Sequence, residues 1–186
     1  MREKRSPIPV KLFIGMLSPE PELFDVCADI VCREYGPIDY QSEIVPWTNS
    51  DFYQKEMGSG MLRKFIFFEQ LRDPGDLPAI KLNTIRIESD FAIQTVKKAR
   101  RRINLDPGYV TEAKVVLATT KDYTHRLYIG EGIYAEVTLR FNNKDRSFTP
   151  FDYSYLDYRS ETYKTTFNKA RALLRTTLKR PAGKRI

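Results

Sequence analysis

Apolar positions at the start of the chain change from a continuous run to a helical spacing. Residues 10–17 are apolar except for Lys11, which predicts a buried first strand. A helix over residues 19–35 is expected next, because apolar residues recur every three or four positions and Gly36-Pro37 can end it.

The rest of the first half continues to alternate strands with helices. Strands are predicted within residues 38–47 and over 61–69 and 101–106, with a short helix near residue 51 and a longer one up to about residue 92. Asp106-Pro107-Gly108 fits a type II turn that would close the fourth strand. The order β-α-β-β-α-β is ferredoxin-like, with a mainly antiparallel or mixed sheet.

The second half is predicted to extend this unit by a helix, a β-hairpin and an amphipathic C-terminal helix. Helical spacing favours the helix from Thr111 to Thr120. Gly130-Glu131-Gly132 joins two strands over residues 125–141, in a register that places Leu127 opposite Ala135 and Ile129 opposite Ile133. The last helix begins after Ser160. Together these elements predict one α+β domain over residues 6–178.

Composition and charge are those of an ordinary globular protein. Hydrophobic residues make up 41% of the 186 residues and charged residues 30%, so no disulfide or structural metal is needed for a core. Of the net charge of +7, residues 1–5 contribute +2 and residues 179–186 contribute +4. We expect these two basic tails to be mobile. The near-neutral body favours a local charged site over a polyanion-binding surface.

Several classes of protein and site are excluded by motif. No apolar run reaches the length of a membrane span, and no signal peptide is recognisable, so a cytoplasmic protein without membrane contact is expected. Cys27 and Cys32 lack a metal or redox spacing. His125 is the only histidine, and the chain has no zinc, haem or P-loop signal. The sequence does not identify a cofactor, and Mg²⁺ stays open.

Residues 104–139 form the most distinctive segment, NLDPGYVTEAKVVLATTKDYTHRLYIGEGIYAEVTL. Together with Phe13-Ile14-Gly15, residues 52–58, Arg63-Lys64-Phe65 and residues 155–159, it resembles a bacterial family known as domain of unknown function 4416. The resemblance covers nearly the whole chain, but it implies no activity or mechanism. Some members carry a GTP-binding label, which this sequence does not support, since it has neither a P-loop nor an N-K-x-D motif.

The charged residues of this segment form the candidate site. Lys121 and Arg126 could clamp a phosphate or carboxylate, and His125 could act with Asp122 as a general acid or base. Glu136, Asp122 and Asp106 could instead hold Mg²⁺ through oxygen ligands. The full set of candidate ligand contacts is Lys121, Arg126, Tyr128, Asp106, Tyr109, Arg63 and Lys64.

Each of these residues also has a structural interpretation. Arg126 faces Glu136 across the predicted hairpin, where an ordinary cross-strand ion pair is expected. His125 shares a strand face with apolar residues and can be a hydrogen-bonded core histidine. Lys121 can neutralise the end of the predicted helix, and Asp106 can serve only a turn.

Three functions therefore remain open at this point. The first is binding or turnover of a small phosphate- or carboxylate-bearing ligand near residues 104–136. The second is nucleic-acid binding through the basic run at 97–102, the basic tails and the aromatic residues Phe151, Tyr153, Tyr155 and Tyr158. The third is a non-catalytic interaction protein. The charge distribution favours the first, while the patterns do not decide whether the protein is an enzyme or what its oligomeric state is.

Overall fold

The computed structural model describes residues 3, 5–48, 51–95 and 99–179, in which nine antiparallel strands form one open sheet with four α-helices. The elements in chain order are β1 (Val10–Ser18), α1 (Glu22–Tyr35), β2 (Ile38–Gln41), β3 (Val45–Pro46), α2 (Asp51–Met57), β4 (Leu62–Arg72), α3 (Leu77–Asp90), β5 (Asn104–Val110), β6 (Lys114–Thr119), β7 (Leu127–Gly130), β8 (Ile133–Asn142), β9 (Ser147–Pro150) and α4 (Glu161–Lys179).

The strands lie in the order β2-β4-β1-β5-β6-β8-β7, with β3 paired to β4 and β9 paired to β8. The part β2-β4-β1-β5, with α1 after β1 and α3 after β4, has the ferredoxin-like strand order. The predicted α+β fold with an antiparallel sheet is therefore confirmed.

Helices cover both faces of the sheet, which explains why β1 is apolar at successive positions. Leu12 and Ile14 pack with α1 and α3 on one face. Phe13 packs on the other face against Phe167 of α4, with ring centroids 5.0 Å apart. Lys11 is fully buried, and its Nζ donates to Asp39 at 2.6 and 2.8 Å. A strand buried on both faces lacks the alternation of a half-exposed one.

The prediction of a helix at 111–120 is wrong, because these residues form β6 and the turn before it. Val115 and Leu117 are buried on the α4 face, while Val116 and Ala118 are buried on the α3 face. A short run that is apolar on both faces fits a buried strand as well as a helix, and the two valines favour the strand. Lys121 consequently follows a strand, so it has no helix end to neutralise.

The predicted type II turn at Asp106-Pro107-Gly108 is also wrong. The three residues lie inside β5, opposite residues 13–15 of β1. A Cβ at Gly108 would lie 2.3 Å from the Val116 carbonyl oxygen and 2.6 Å from Cζ of Phe13. Gly108 therefore serves the close approach of strands and not a turn, although both uses favour glycine.

The hairpin and the final helix follow the prediction closely. Leu127 pairs with Ala135 as expected, but a bulge places Gly130, and not Ile129, opposite Ile133. Helix α4 buries an apolar stripe that includes Phe167 and Leu174. No helix in the described part of the chain is both long and apolar enough to cross a membrane. Most of the predicted basic tails, at residues 1, 2, 4 and 180–186, lies outside the described residues.

Candidate functional site

The sheet splits between β5 and β6. The two strands pair only from Gly108 to Val110, whereas the residues of β5 before Gly108 pair with β1 alone. Pro107, where the pairing stops, has no backbone N–H to donate. A cleft of about 240 Å³ opens where the strands separate, lined by residues from α3, β5, β6, β8 and the segments at 120–126 and 155–158.

Two charged side chains of α3 take the place of the missing strand beside β5. Glu88 Oε1 accepts a hydrogen bond from the Leu105 backbone N–H at 2.6 Å. Lys81 Nζ donates to the Leu105 carbonyl oxygen at 3.0 Å. The two residues are seven positions apart, so they project from the same face of the helix. Both are buried, and both line the cleft.

Asp106 forms an ionic centre on the same wall. Its Oδ2 accepts hydrogen bonds from Asn104 Nδ2 at 2.8 Å and from Arg63 Nη1 at 3.3 Å, while its Oδ1 lies 3.7 Å from Lys81 Nζ. Burial raises the pKa of Asp106, but the positive charges of Lys81 and Arg63 outweigh it, so the pKa falls below its usual value. Gly15 leaves room for this contact, since a Cβ there would lie 3.1 Å from Arg63 Nη1.

Arg63 reaches a second carboxylate at the bottom of the cleft. Its Nη2 lies 3.6 Å from Asp157 Oδ2, which also accepts a hydrogen bond from Trp47 Nε1 at 2.9 Å. Two buried polar atoms nearby, Arg63 Nε and the Tyr158 hydroxyl, have no hydrogen-bond partner among the described residues. Buried polar groups of proteins are otherwise paired almost without exception. Arg63 and Tyr158 both line the cleft.

Arg126 forms three hydrogen bonds in the opposite wall of the cleft. Its Nε donates to Glu136 Oε2 at 3.0 Å, its Nη1 to the Lys121 carbonyl at 3.0 Å and its Nη2 to the Tyr155 hydroxyl at 2.8 Å. The side chains of Arg126 and Glu136 are each 2% exposed. The ion pair expected across the hairpin is therefore present, and it is buried.

The structure brings together one part of the predicted site. Asp106, Lys121, Arg126 and Glu136 line one cleft, together with Arg63. His125 lies behind this wall, with Nε2 3.1 Å from Glu136 Oε2 and its ring stacked on Tyr153 at 4.4 Å. It is partly exposed and does not belong to the core.

The other candidate residues lie elsewhere. Tyr128 is 62% exposed on the outer strand β7, and Lys64 forms an ion pair with Asp25 of α1. Tyr109 packs near the beginning of α3, and Asp122 is exposed in the loop after β6.

The residues suggested for Mg²⁺ are held by other partners. Asp106 accepts hydrogen bonds from Asn104 and Arg63, and Glu136 accepts them from Arg126 and Thr138. Across the described ranges, no three His, Cys, Asp or Glu side chains are grouped so that they could hold a metal ion.

Sequence reasoning missed several lining residues, of which Lys81 and Glu88 carry the clearest signal. Both occur within the buried stripe of α3, next to Ile80 and Ile87. A charged residue in the apolar stripe of a helix points into the protein interior, where an unpaired charge costs much free energy. Such a residue therefore indicates a buried partner. Trp47, Arg101 and Asp157 offered no such local signal.

The cleft has an excess of basic groups. Of its described lining residues, five are basic and four are acidic, namely Arg63, Lys81, Arg101, Lys121 and Arg126 against Glu88, Asp106, Glu136 and Asp157. Burial raises the pKa of Glu88, and Lys81 and the Leu105 N–H offset this only in part.

The basic run at 97–102 is largely neutralised where it is described. Arg101 binds Glu56 through two hydrogen bonds of 2.9 and 2.7 Å, and Arg102 forms an ion pair with Glu20. Lys97 and Lys98 lie outside the described residues.

Comparison with known proteins identifies a family for the chain. None of the curated proteins and none of the solved structures matches the chain. The model of the family described as "Domain of unknown function (DUF4416)" matches residues 8–173. This match extends over the whole sheet and the cleft, and it confirms the resemblance seen in the sequence. The chain belongs to the DUF4416 family.

Proposed function

We propose that the cleft between β5 and β6 binds a small ligand that carries a phosphate or carboxylate group. The observation that carries this proposal is the pair of buried donors, Arg63 Nε and the Tyr158 hydroxyl, that have no partner among the described residues. Leaving a buried donor unpaired costs about 1–3 kcal/mol. Both atoms are shielded from solvent, so we expect the two side chains to shift on binding, after which an anionic oxygen of the ligand would accept from them and recover this free energy.

The charges around these donors support the same proposal. Arg63, Lys81 and Arg126 are all buried at the cleft, together with acidic partners that hold them in place. Buried ion pairs seldom stabilise a protein more than apolar residues of similar size would. A concentration of them in one cleft is therefore better explained by binding than by stability. At about 240 Å³ the cleft suits a small group rather than a large ligand.

Nucleic-acid binding receives less support. Arg101 and Arg102, which end the basic run, are already paired with Glu56 and Glu20. Tyr158, one of the aromatic residues considered for base stacking, is only 2% exposed. Arg100 alone remains in the described part of the run, and a single arginine does not form a continuous phosphate-binding track.

The proposal is tested by calorimetric binding and thermal unfolding with inorganic phosphate, citrate and ribose 5-phosphate. A ligand that binds only the folded state stabilises it by about 2.7 kcal/mol at one hundred times its dissociation constant. We expect at least one of these probes to raise Tm.

The variant Tyr158→Phe removes an orphaned hydroxyl without breaking an internal hydrogen bond, so it should fold as stably as the wild type or better. Its affinity for the probe should fall. Tyr40→Phe is the matched control, because Tyr40 stacks on Phe67 far from the cleft lining. Unchanged affinity in Tyr158→Phe, or no binding of any probe, would refute the proposal.

A further inference from the structure

Three partly exposed tyrosines surround the charged wall of the cleft, and we refer to them as the tyrosine collar: Tyr123, Tyr153 and Tyr155. They are 53%, 40% and 46% exposed. Scattered exposed aromatic residues are ordinary, but each of these three contacts Arg126 or His125, two neighbouring residues of one segment.

Each ring of the collar is connected to a residue of the wall. The Tyr155 hydroxyl accepts a hydrogen bond from Arg126 Nη2 at 2.8 Å, and Tyr155 itself lines the cleft. The Tyr123 ring lies 4.4 Å from Cζ of Arg126. Tyr153 stacks on His125, whose Nε2 is 3.1 Å from Glu136. The collar is therefore connected to the charged groups, and Tyr155 is its member in the cleft lining.

Two of the rings, those of Tyr153 and Tyr155, are held by neighbouring side chains. Tyr153 stacks on His125 on one side, with an interplanar angle of 17°, and on Phe151 with an angle of 5° and a centroid distance of 5.1 Å. The hydroxyl of Tyr155 is fixed by Arg126. Binding to rings that are already ordered costs little conformational entropy, which is why rigid tyrosines are effective contact residues.

We propose that the ligand of the cleft joins its anionic group to a planar ring, and that this ring stacks on Tyr155 of the collar. This inference rests on the proposed function. Tyr155 lines the cleft and is 46% exposed, so a ring joined to the anionic group can extend from the cleft onto it. A planar ring gains more from stacking on tyrosine than a sugar or an aliphatic chain does.

Trp47 provides the assay, because it is the single tryptophan of the chain and it lines the cleft. Its fluorescence is titrated with four probes: inorganic phosphate, ribose 5-phosphate, adenosine monophosphate and phosphotyrosine. We expect at least one ring-bearing probe to bind about tenfold more tightly than ribose 5-phosphate. Whichever of the two ring-bearing probes binds more tightly identifies the kind of ring, since one carries a purine and the other a phenyl group.

Variants separate the ring from the hydroxyl of Tyr155. Tyr155→Leu should remove the tenfold gain of the ring-bearing probe over ribose 5-phosphate, whatever its effect on the affinity for inorganic phosphate. Tyr155→Phe keeps the ring and should keep the gain. Tyr128→Leu is the matched control, because Tyr128 is 62% exposed on β7 and is not part of the cleft lining.

The outcomes distinguish this inference from the function on which it rests. If no probe binds, the proposed function itself is wrong. If ribose 5-phosphate binds as tightly as both ring-bearing probes, or if Tyr155→Leu weakens all bound probes equally, the ring is not recognised and only this inference is overturned.

Discussion

The ion pair between Arg126 and Glu136 offers a direct test of how charge is held in the cleft. Arg126 Nε lies 3.0 Å from Glu136 Oε2, and each side chain is 2% exposed. The perturbation is a double-mutant cycle with Arg126→Met, Glu136→Met and the double variant. Methionine is chosen because it is apolar, flexible and of similar length.

The expected magnitudes follow from burial. Either single variant leaves the other charge buried without its main partner, which costs about 3–5 kcal/mol of unfolding free energy. The double variant removes both charges and takes from the fully buried Thr138 hydroxyl the carboxylate to which it donates at 3.1 Å. The Lys121 carbonyl, the Tyr155 hydroxyl and His125 each lose a hydrogen bond as well, but they belong to residues that solvent reaches. That residual loss is about 1–2 kcal/mol. The double variant should thus be more stable than either single variant.

The assay is urea unfolding followed by circular dichroism, with the slope m checked for constancy. Asp90→Asn is the control, because it breaks an exposed ion pair. The side chain of Asp90 is 62% exposed and that of its partner Arg86 is 59% exposed, so the pair contributes only about 0.3–0.5 kcal/mol to the unfolding free energy. If Arg126→Met and Glu136→Met each cost no more than this control, the cleft charges are solvated and our account of the wall is wrong. The account would also be refuted if the double variant lost as much unfolding free energy as the two single variants together.

Three further predictions concern the strands and the buried titratable groups. Gly108→Ala should lower the unfolding free energy by about 1–3 kcal/mol, because its Cβ would lie 2.3 Å from a backbone oxygen that cannot easily move. Because the pKa of Glu88 is raised in the folded state, the folded wild type binds more protons than the unfolded chain and loses stability as pH rises above about 4.3. Glu88→Gln lacks this titration, so its stability relative to the wild type should increase with pH over the same range. Cys27, whose pKa burial raises to about 12, should resist thiol reagents at pH 8 until the protein unfolds.

Each of these predictions has its own check. For Gly108→Ala the control is Gly75→Ala, where the nearest atom is a side-chain oxygen at 3.1 Å, and equal losses would count against the close strand approach. For Glu88→Gln, a stability difference from the wild type that does not vary between pH 4 and pH 8 would contradict a raised pKa. Rapid labelling of Cys27 in the native protein, followed by mass spectrometry of the peptide, would show that the thiol is accessible.

Much of the fold could be predicted because its signals are local. The continuous apolar run of β1, the stripe of α4 and the register of Leu127 with Ala135 depend on residues within one element or one hairpin. The register of the same hairpin is enough to predict the pairing of Arg126 with Glu136, because the two residues are only ten positions apart. The errors at 106–108 and 111–120 arose where one local pattern suits two structures.

The candidate site was only partly predictable because its residues converge from distant segments. Arg63 and Asp106 are 43 positions apart, and Trp47 and Asp157 are 110 positions apart. Lys81 and Glu88 become part of the cleft only because β6 does not pair with β5 at Leu105, which leaves the Leu105 backbone groups on that side to the two side chains. No spacing along the chain carries that information.

The sequence by itself determined which faces are apolar, where the hairpin turns and which segment carries the most distinctive charges, since these follow from short-range periodicity and turn chemistry. Only the tertiary structure decided that Pro107 and Gly108 lie inside a strand, that the sheet opens beside them and that charges from α3, β4 and β8 meet there. The physical reason is that strand order and strand separation are set by packing across the whole sheet. A proline without an N–H ends the pairing with a neighbouring strand, and a glycine without a Cβ allows that strand to approach, although the neighbouring residues are distant in the sequence.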